Sequence, residues 1–196
     1  LHRARQIQRA NILNKIILHI ENGRIAMKRA PAVSEALVNA IEDVPTSLLI
    51  SLQMLQGMVG ANEWRKKGVV VPVLGQSIHP YYGVYSPVRG EYLELIAQAP
   101  LQAKTAMDIG TGTGVIAALL AKRGVPSIIA TDNQPRALAC AQDNLQRLGF
   151  THKVKVVQAD LFPPDSQADL IVCNPPWLPA KANAPIEHAV YDPDSR

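Results

Sequence analysis

The sequence predicts an α/β protein built on a doubly wound parallel sheet, and two observations carry that expectation. From Thr105 onward, short apolar runs alternate with helical patterns, as in chains whose parallel strands are joined by crossover helices. The first of these runs leads into Gly110-Thr111-Gly112-Thr113-Gly114, with glycines at alternate positions where a strand gives way to a helix. The fourth leads into Asn174-Pro175-Pro176-Trp177.

The chain is long enough for a real core, with 196 residues and 47% hydrophobic composition, and its size fits one domain plus an appendage. The net charge of +4 is unevenly placed: through Gly68 there are ten Lys/Arg against five Asp/Glu, and beyond it ten against eleven. A basic N-terminal part suits either an anionic partner such as RNA or DNA, or a solvated helix face. Cys140 in a helical pattern and Cys173 in a strand pattern have no metal spacing and no disulfide framework, so reduced, buried thiols are expected. No apolar run approaches a membrane span, and Ile16 to Ile20 is too short for a signal peptide, so the expectation is a cytoplasmic protein. The first twenty residues are Arg-rich and acid-free, as in a transit peptide, and with a start at Leu1 rather than Met the natural N-terminus is expected to lie further upstream.

Taken in order, residues 3 to 20 place Leu13, Ile16, Ile17 and Ile20 on one helical face, with Arg3, Arg5, Arg9 and Lys15 mostly elsewhere. Pro31 opens a second helix carrying Val33, Ala36, Leu37, Ala40, Ile41 and Val44, which Pro45 ends. Thr46 or Ser47 caps a third with Leu48, Leu52, Leu55 and Val59, weakened by Gly57 and Gly60. Residues 1–68 therefore read as a small helical N-terminal domain, taken as substrate-recognising. From Val69 to Tyr85 two strands around Gly75-Gln76-Ser77 read as a hairpin linker over residues 69–86. It gathers His79, Tyr81, Tyr82 and Tyr85, either as an aromatic wall for a ligand or as ordinary packing. Pro87 starts a helix through Gln98 with Tyr92, Leu93 and Ile96 buried.

The alternation then begins. Strand Thr105 to Ile109 is followed by a helix from Val115 to Arg123. Strand Ser127 to Thr131 precedes a helix that starts at Pro135, buries Leu138, Ala141, Leu145 and Leu148, and is closed by Gly149. Val154 to Val157 and Leu170 to Cys173 complete four strands, the last expected to be buried.

Glycines at alternate positions let the backbone turn tightly and approach a ligand. Gly112-Thr113-Gly114 with Ala117 imitates a dinucleotide fingerprint, and Asp132 lies near the distance of a ribose-binding acid, so an NAD-binding domain is a rival. Asp108, at the strand end before the glycines, can reach the ammonium of an amino-acid moiety, which S-adenosylmethionine has and NAD lacks. Asp132 can pair with ribose hydroxyls and Asp160 with an adenine amine, although each acid also suits a plain helix cap.

The motif Asn174-Pro175-Pro176-Trp177 suits a planar nitrogen substrate. An amide or aromatic amine is a poor nucleophile because its lone pair is delocalised. The Asn174 side-chain oxygen and the Pro175 carbonyl can both accept hydrogen bonds from its NH2, orienting it and favouring the charge it develops. Consecutive prolines fix φ, and Trp177 offers a flat stacking face. Alone, the same four residues also fit a strand-ending turn with a core Trp.

Together, Asp108 to Gly114, Thr131-Asp132-Asn133, the run Ala137 to Ala141 with Asn144 and Leu148-Gly149, Asp160-Leu161-Phe162, and Asp169 to Pro179 resemble the class I S-adenosylmethionine-dependent methyltransferases. The branch they look most like includes the release-factor glutamine methyltransferases and the ribosomal-RNA guanine methyltransferases. The resemblance covers roughly residues 85 to 194 and implies a Rossmann-like sheet with S-adenosyl-L-methionine as cofactor. It places Asp108, Gly110, Thr111, Gly112 and Gly114 at the methionine end, Asp132 and Asn133 at the ribose, Asp160 and Leu161 near adenine, and Asn174, Pro175 and Trp177 at the nucleophile. Trp177 stands where the family often has Tyr. Tyr191-Asp192-Pro193-Asp194 resembles a segment of the glutamine methyltransferases. The implied acceptor is macromolecular, a protein glutamine or an RNA or DNA base, and the implied reaction is in-line attack of its nitrogen on the methyl carbon opposite sulfur. No metal is implied. The family sheet has strand order 3-2-1-4-5-7-6, and nineteen residues after Trp177 cannot supply its last three strands, so domain 87–196 is expected to be C-terminally truncated. A non-catalytic nucleic-acid-binding module on a degenerate domain is the other alternative, alongside the NAD-dependent oxidoreductase.

Overall fold

A computed structural model of the chain describes residues 2–86, 90–175, 178–179 and 191–192. The chain divides into two units, Leu1–Lys66 and Lys67–Arg196.

The first unit holds α1 (His2–Lys15), β1 (Ile17–Glu21), β2 (Arg24–Ile25), α2 (Ser34–Ala40), β3 (Ser47–Ser51) and α3 (Leu52–Lys67). Its strands form an antiparallel sheet in the order β2-β1-β3, with Ile20 opposite both Ile25 and Leu48. This corrects the expectation of an all-helical domain. The helical face read through Ile16, Ile17 and Ile20 is instead a strand, because the β-branched run ends at Asn22-Gly23. Those two residues take φ of +49° and +73°, the two left-handed positions of a tight hairpin turn. Leu48, Leu49 and Ile50 likewise alternate half-buried, exposed and buried on β3. The helix expected from Ser47 starts only at Leu52, where the Ser51 hydroxyl accepts the Met54 N–H at 3.2 Å. That helix runs on through Gly57 and Gly60 to Lys67.

The second unit opens with β4 (Val69–Val71) and β5 (Gln76–Ile78), an antiparallel hairpin as its sequence predicts. It is part of a core and not a linker: Val71, Leu74 and Ile78 are buried in one cluster with the helix at Val115 to Ala121. The Lys122 ammonium fastens the turn by donating to the carbonyls of Val73 (3.0 Å) and Leu74 (2.7 Å).

Then follow α4 (Glu91–Gln98), β6 (Thr105–Ile109), α5 (Val115–Lys122), β7 (Ser127–Asp132), α6 (Pro135–Leu148), β8 (Val154–Gln158) and β9 (Leu170–Cys173). The sheet β8-β7-β6-β9 is parallel throughout, with Asp108 opposite Ala130 on one side and Val172 on the other. Every residue from Val115 to Ala121 is buried, so α5 is wrapped all round, whereas α6 buries one stripe, Ala137, Cys140, Ala141, Asn144, Leu145 and Leu148. Gly149, at φ +78°, ends α6 as predicted. Strand β9 is not fully buried: its residues alternate half-buried and exposed, because β9 lies at one side of the described sheet. Two short strands, β10 (Leu178–Pro179) and β11 (Tyr191–Asp192), pair in parallel.

Candidate active site

The sheet order places β7 on one side of β6 and β9 on the other, so the chain reverses its winding at β6. In open parallel sheets the crevice beyond the carboxyl ends of the strands at such a point is where ligands bind. Along that edge stand, in strand order, Asp160 just past β8, Asp132 at the end of β7, Asp108 and the glycine turn on β6, and Asn174 just past β9.

Asp108 is the deepest of these, with no exposed surface. Its Oδ2 accepts hydrogen bonds from the Thr111 hydroxyl at 2.6 Å and the Ala117 N–H at 3.0 Å, tying the two ends of the glycine turn. Its Oδ1 is buried without a partner. Burial pushes the carboxyl up to about 6, and the charge of Asp132 adds to this against the two hydrogen bonds. A buried, unpartnered carboxylate oxygen is costly by itself and suits a cationic donor such as an ammonium.

The glycines divide the work of the turn. At Gly110, φ +70°, a side chain would meet nothing within 4 Å, so the backbone borders open space. At Gly114, φ +79°, a Cβ would lie 3.2 Å from Ala141 Cα and Cβ, so this glycine lets α5 and α6 approach. Asp132 braces the turn through Oδ2, which accepts the Gly112 N–H at 3.1 Å, while its Oδ1 accepts the Gln134 N–H at 3.0 Å. Carboxylate oxygens have further lone pairs, so both jobs leave capacity for hydroxyl donors. Asn133 and Asp160 are exposed. Leu161 has φ +66°, uncommon for a branched side chain, and is held there by the Thr131 hydroxyl, which donates to its carbonyl at 2.8 Å. That conformation turns Leu161 and Phe162 outward, at 58% and 50% exposure, as an apolar border beside Asp160.

Asn174 and Pro175 are exposed, and the pairing of Ile109 with Cys173 puts Asn174 abreast of Gly110. Trp177 and Pro176 lie outside the described residues. Cys173 is exposed, unlike buried Cys140, which corrects the expectation of two buried thiols; it ends an edge-facing strand position. Partial burial, and then the charge of Asp108, raise its pKa. Of the aromatics read with the hairpin, Tyr81 packs beside Val84, Ala137 and Cys140, and its hydroxyl donates to Asp143. On α4, burial first, and then the charges of Tyr85 and Asp108, push the Tyr92 hydroxyl above its usual range.

Some contributors were not assigned roles from sequence. Asn144, 1% exposed, accepts the His79 N–H at 2.7 Å and donates to the Thr113 carbonyl at 3.0 Å, so one amide holds both the post-hairpin segment and the glycine turn. A polar residue in the buried stripe of α6 was the available signal. Asp169 holds the start of β9; the sequence marked it only as the first residue of the motif Asp169 to Pro179, with no role of its own.

Comparison with known proteins bears on this arrangement. Residues 91–190, just over half of the 196-residue chain, match the methyltransferase small domain family. The chain belongs to this family. The methyltransferase small domain so delimited contains all four strands of the parallel sheet and Asn174. The chain is 39% identical over 87 residues to a release factor glutamine methyltransferase of Moorella thermoacetica, covering 42% of this chain and 30% of the relative. It is 40% identical over 83 residues to a tRNA1(Val) (adenine(37)-N6)-methyltransferase of Histophilus somni, with 39% and 35% covered. To a ribosomal protein L11 methyltransferase of Vibrio parahaemolyticus it is 32% identical over 108 residues, with 55% and 37% covered. The alignments thus span about a third of the length of the curated relatives matched. Among the described residues, no helix is long and apolar enough to cross a membrane, and no cluster of three His, Cys, Asp or Glu could hold a metal ion.

Proposed function

We propose that this chain carries the cofactor-binding and nitrogen-orienting part of an S-adenosyl-L-methionine-dependent N-methyltransferase. The observation that carries the reading is Asp108 Oδ1, buried and unpartnered at the floor of the glycine turn, with Asn174 abreast of that turn on the neighbouring strand. The residues fit the cofactor: Asp108 for the ammonium, Gly110 for room, Asp132 for the ribose hydroxyls, and Asp160 with Leu161 for adenine. When bound, the cofactor supplies a methyl group activated by a sulfonium. The protein's own work is positioning. Asn174 and the Pro175 carbonyl accept from the acceptor NH2, hold its nitrogen toward the glycine turn and favour the charge it develops, so neither needs to titrate. Trp177 is assigned the stacking face.

The acceptor proposed is a planar nitrogen in a macromolecule, a protein glutamine or a nucleic-acid base. The names of the relatives support this class, since they include a glutamine and an adenine N6 methyltransferase. The exposed position of Asn174 suits a bulky partner. The first unit is proposed to select that acceptor.

Calorimetric titration with S-adenosylhomocysteine, beside NAD, tests the reading. Saturable binding of the homocysteine compound alone is expected; binding of NAD alone would reverse it in favour of an oxidoreductase.

A further inference from the structure

Strand β9 leads directly into Asn174, yet little in its own sequence sets its register. Its exposed positions Ile171 and Cys173 bury little, and only Leu170 and Val172 pack against the core. Shifting a strand by two residues keeps the same side chains facing in and would move Asn174 by ~7 Å, well beyond what in-line attack tolerates. Something else must select one register.

We propose that Asp169 is a positioning residue that fixes this register and thereby places Asn174 beside the glycine turn. Asp169 Oδ2 accepts three hydrogen bonds from the entry to β6: from the Lys104 N–H at 2.9 Å, the Thr105 N–H at 2.8 Å and the Thr105 hydroxyl at 3.0 Å. The Asp169 N–H returns a fourth, to Thr105 Oγ1 at 3.0 Å. These contacts immediately precede the first paired residues of the strands, Ala106 and Leu170. From Thr105 to Gly110 is five residues along β6, and from Asp169 to Asn174 is five along β9. The knot at the amino ends therefore sets the glycine turn and the asparagine level at the carboxyl ends. Any slip loses all four bonds together, because three of them meet at Thr105 and the fourth at the adjacent Lys104. Three donors on one carboxylate oxygen also hold the Asp169 acid below its usual range, the backbone N–H of Thr105 first among the causes.

The catalytic meaning of this placement rests on the methyltransferase reading, but the clamp can be tested separately in the full chain. Amide hydrogen exchange at Ile171 to Cys173 and the modification rate of the exposed Cys173 thiol both report on β9, and S-adenosylhomocysteine affinity reports on the β6–β7 side. Asp169→Ala is expected to raise both β9 rates at least tenfold and leave that affinity within twofold of the parent. Asp169→Asn, which keeps an acceptor oxygen, should restore most of the protection, and Thr105→Val added to Asp169→Ala should add almost nothing. Rates within twofold of the parent in Asp169→Ala would overturn the assignment. So would a loss of ligand affinity in parallel with β9 protection, which would show a general structural role. Should Asp169→Ala fail to fold, Asp169→Asn and Thr105→Val decide: unchanged β9 rates in both overturn it. Failure of the unmodified chain to bind the homocysteine compound would count against the function alone, since the exchange rates judge the clamp.

Discussion

On the β7 side of β6 the glycine turn is set in buried polar groups: Asp108, Thr111, Thr113, Thr131 and Asn144 are each at most 5% exposed, and the side chains of Asp108, Thr111, Thr131 and Asn144 make hydrogen bonds around it. On the β9 side, Cys173, Asn174 and Pro175 stand in the open. The difference fits the proposed division, with the cofactor on one side and the methyl acceptor on the other. A small, charged ligand is held best by groups already desolvated and aimed, because little order is then lost on binding. A side chain that must reach an atom of another macromolecule has to stay accessible, so its placement is set from a distance, through the strand that carries it.

The comparison can be broken most forcefully at Gly114. Gly114→Ala combines an unfavourable left-handed φ with a contact on the Ala141 backbone, and should cost about 3 kcal/mol in urea unfolding. Gly110→Ala, with open space beside it, should cost only about 1 kcal/mol; equal losses would refute the close approach of α5 and α6.

Asp108→Asn should act in the opposite direction on stability. The folded chain raises this carboxyl from 3.8 to about 6, so it binds the proton more tightly than the unfolded chain. Asp108 is then without penalty in acid, and stability is lost as pH rises from about 4 through 6, reaching about 3 kcal/mol at pH 8. The variant should be more stable than the parent at pH 8, equal to it near pH 4, and at least tenfold weaker for S-adenosylhomocysteine. A destabilised variant at pH 8 would show that the ionised carboxylate is compensated within the protein.

Asn144→Ala leaves the His79 N–H and the Thr113 carbonyl without their buried partner, and about 2 kcal/mol should be lost together with some ligand affinity. Asn174→Ala should do least to the fold, within about 0.5 kcal/mol of the parent, because the residue is exposed. It should also bind the homocysteine compound normally and lose methyl transfer roughly a hundredfold; undiminished turnover would remove Asn174 from the chemistry.

The second unit was largely legible because strand and helix periods differ and its turns are punctuated by glycine and proline. Leu170 to Cys173 was placed to the residue, and Pro135 and Gly149 bound α6 as read. The first unit is less legible because apolar residues at Leu13, Ile16, Ile17 and Ile20 fit a helical face as well as a short strand. Asn22-Gly23, a hairpin-turn pair, is the local signal that decides between them. At the site, the acids at strand ends could be found because position alone marks them. The roles of Asn144 and Asp169 could not, since each depends on a backbone group 31 to 65 residues away in the chain.

The place of β9 in the sheet also has a kinetic consequence. Glu21 and Arg24 close the first hairpin across one turn, and β7 meets β6 after 22 residues, Thr105 to Ser127. Strand β9 reaches β6 only after 64, Ala106 to Leu170. Closing the longer loop costs about 1 kcal/mol more chain entropy than the β6–β7 loop. With few apolar contacts to repay it early, β9 should join last, and pulse-labelled refolding should protect Ile128 to Ala130 before Ile171 to Cys173. The side proposed to hold the cofactor would thus be assembled while the strand that leads to Asn174 is still searching for its place.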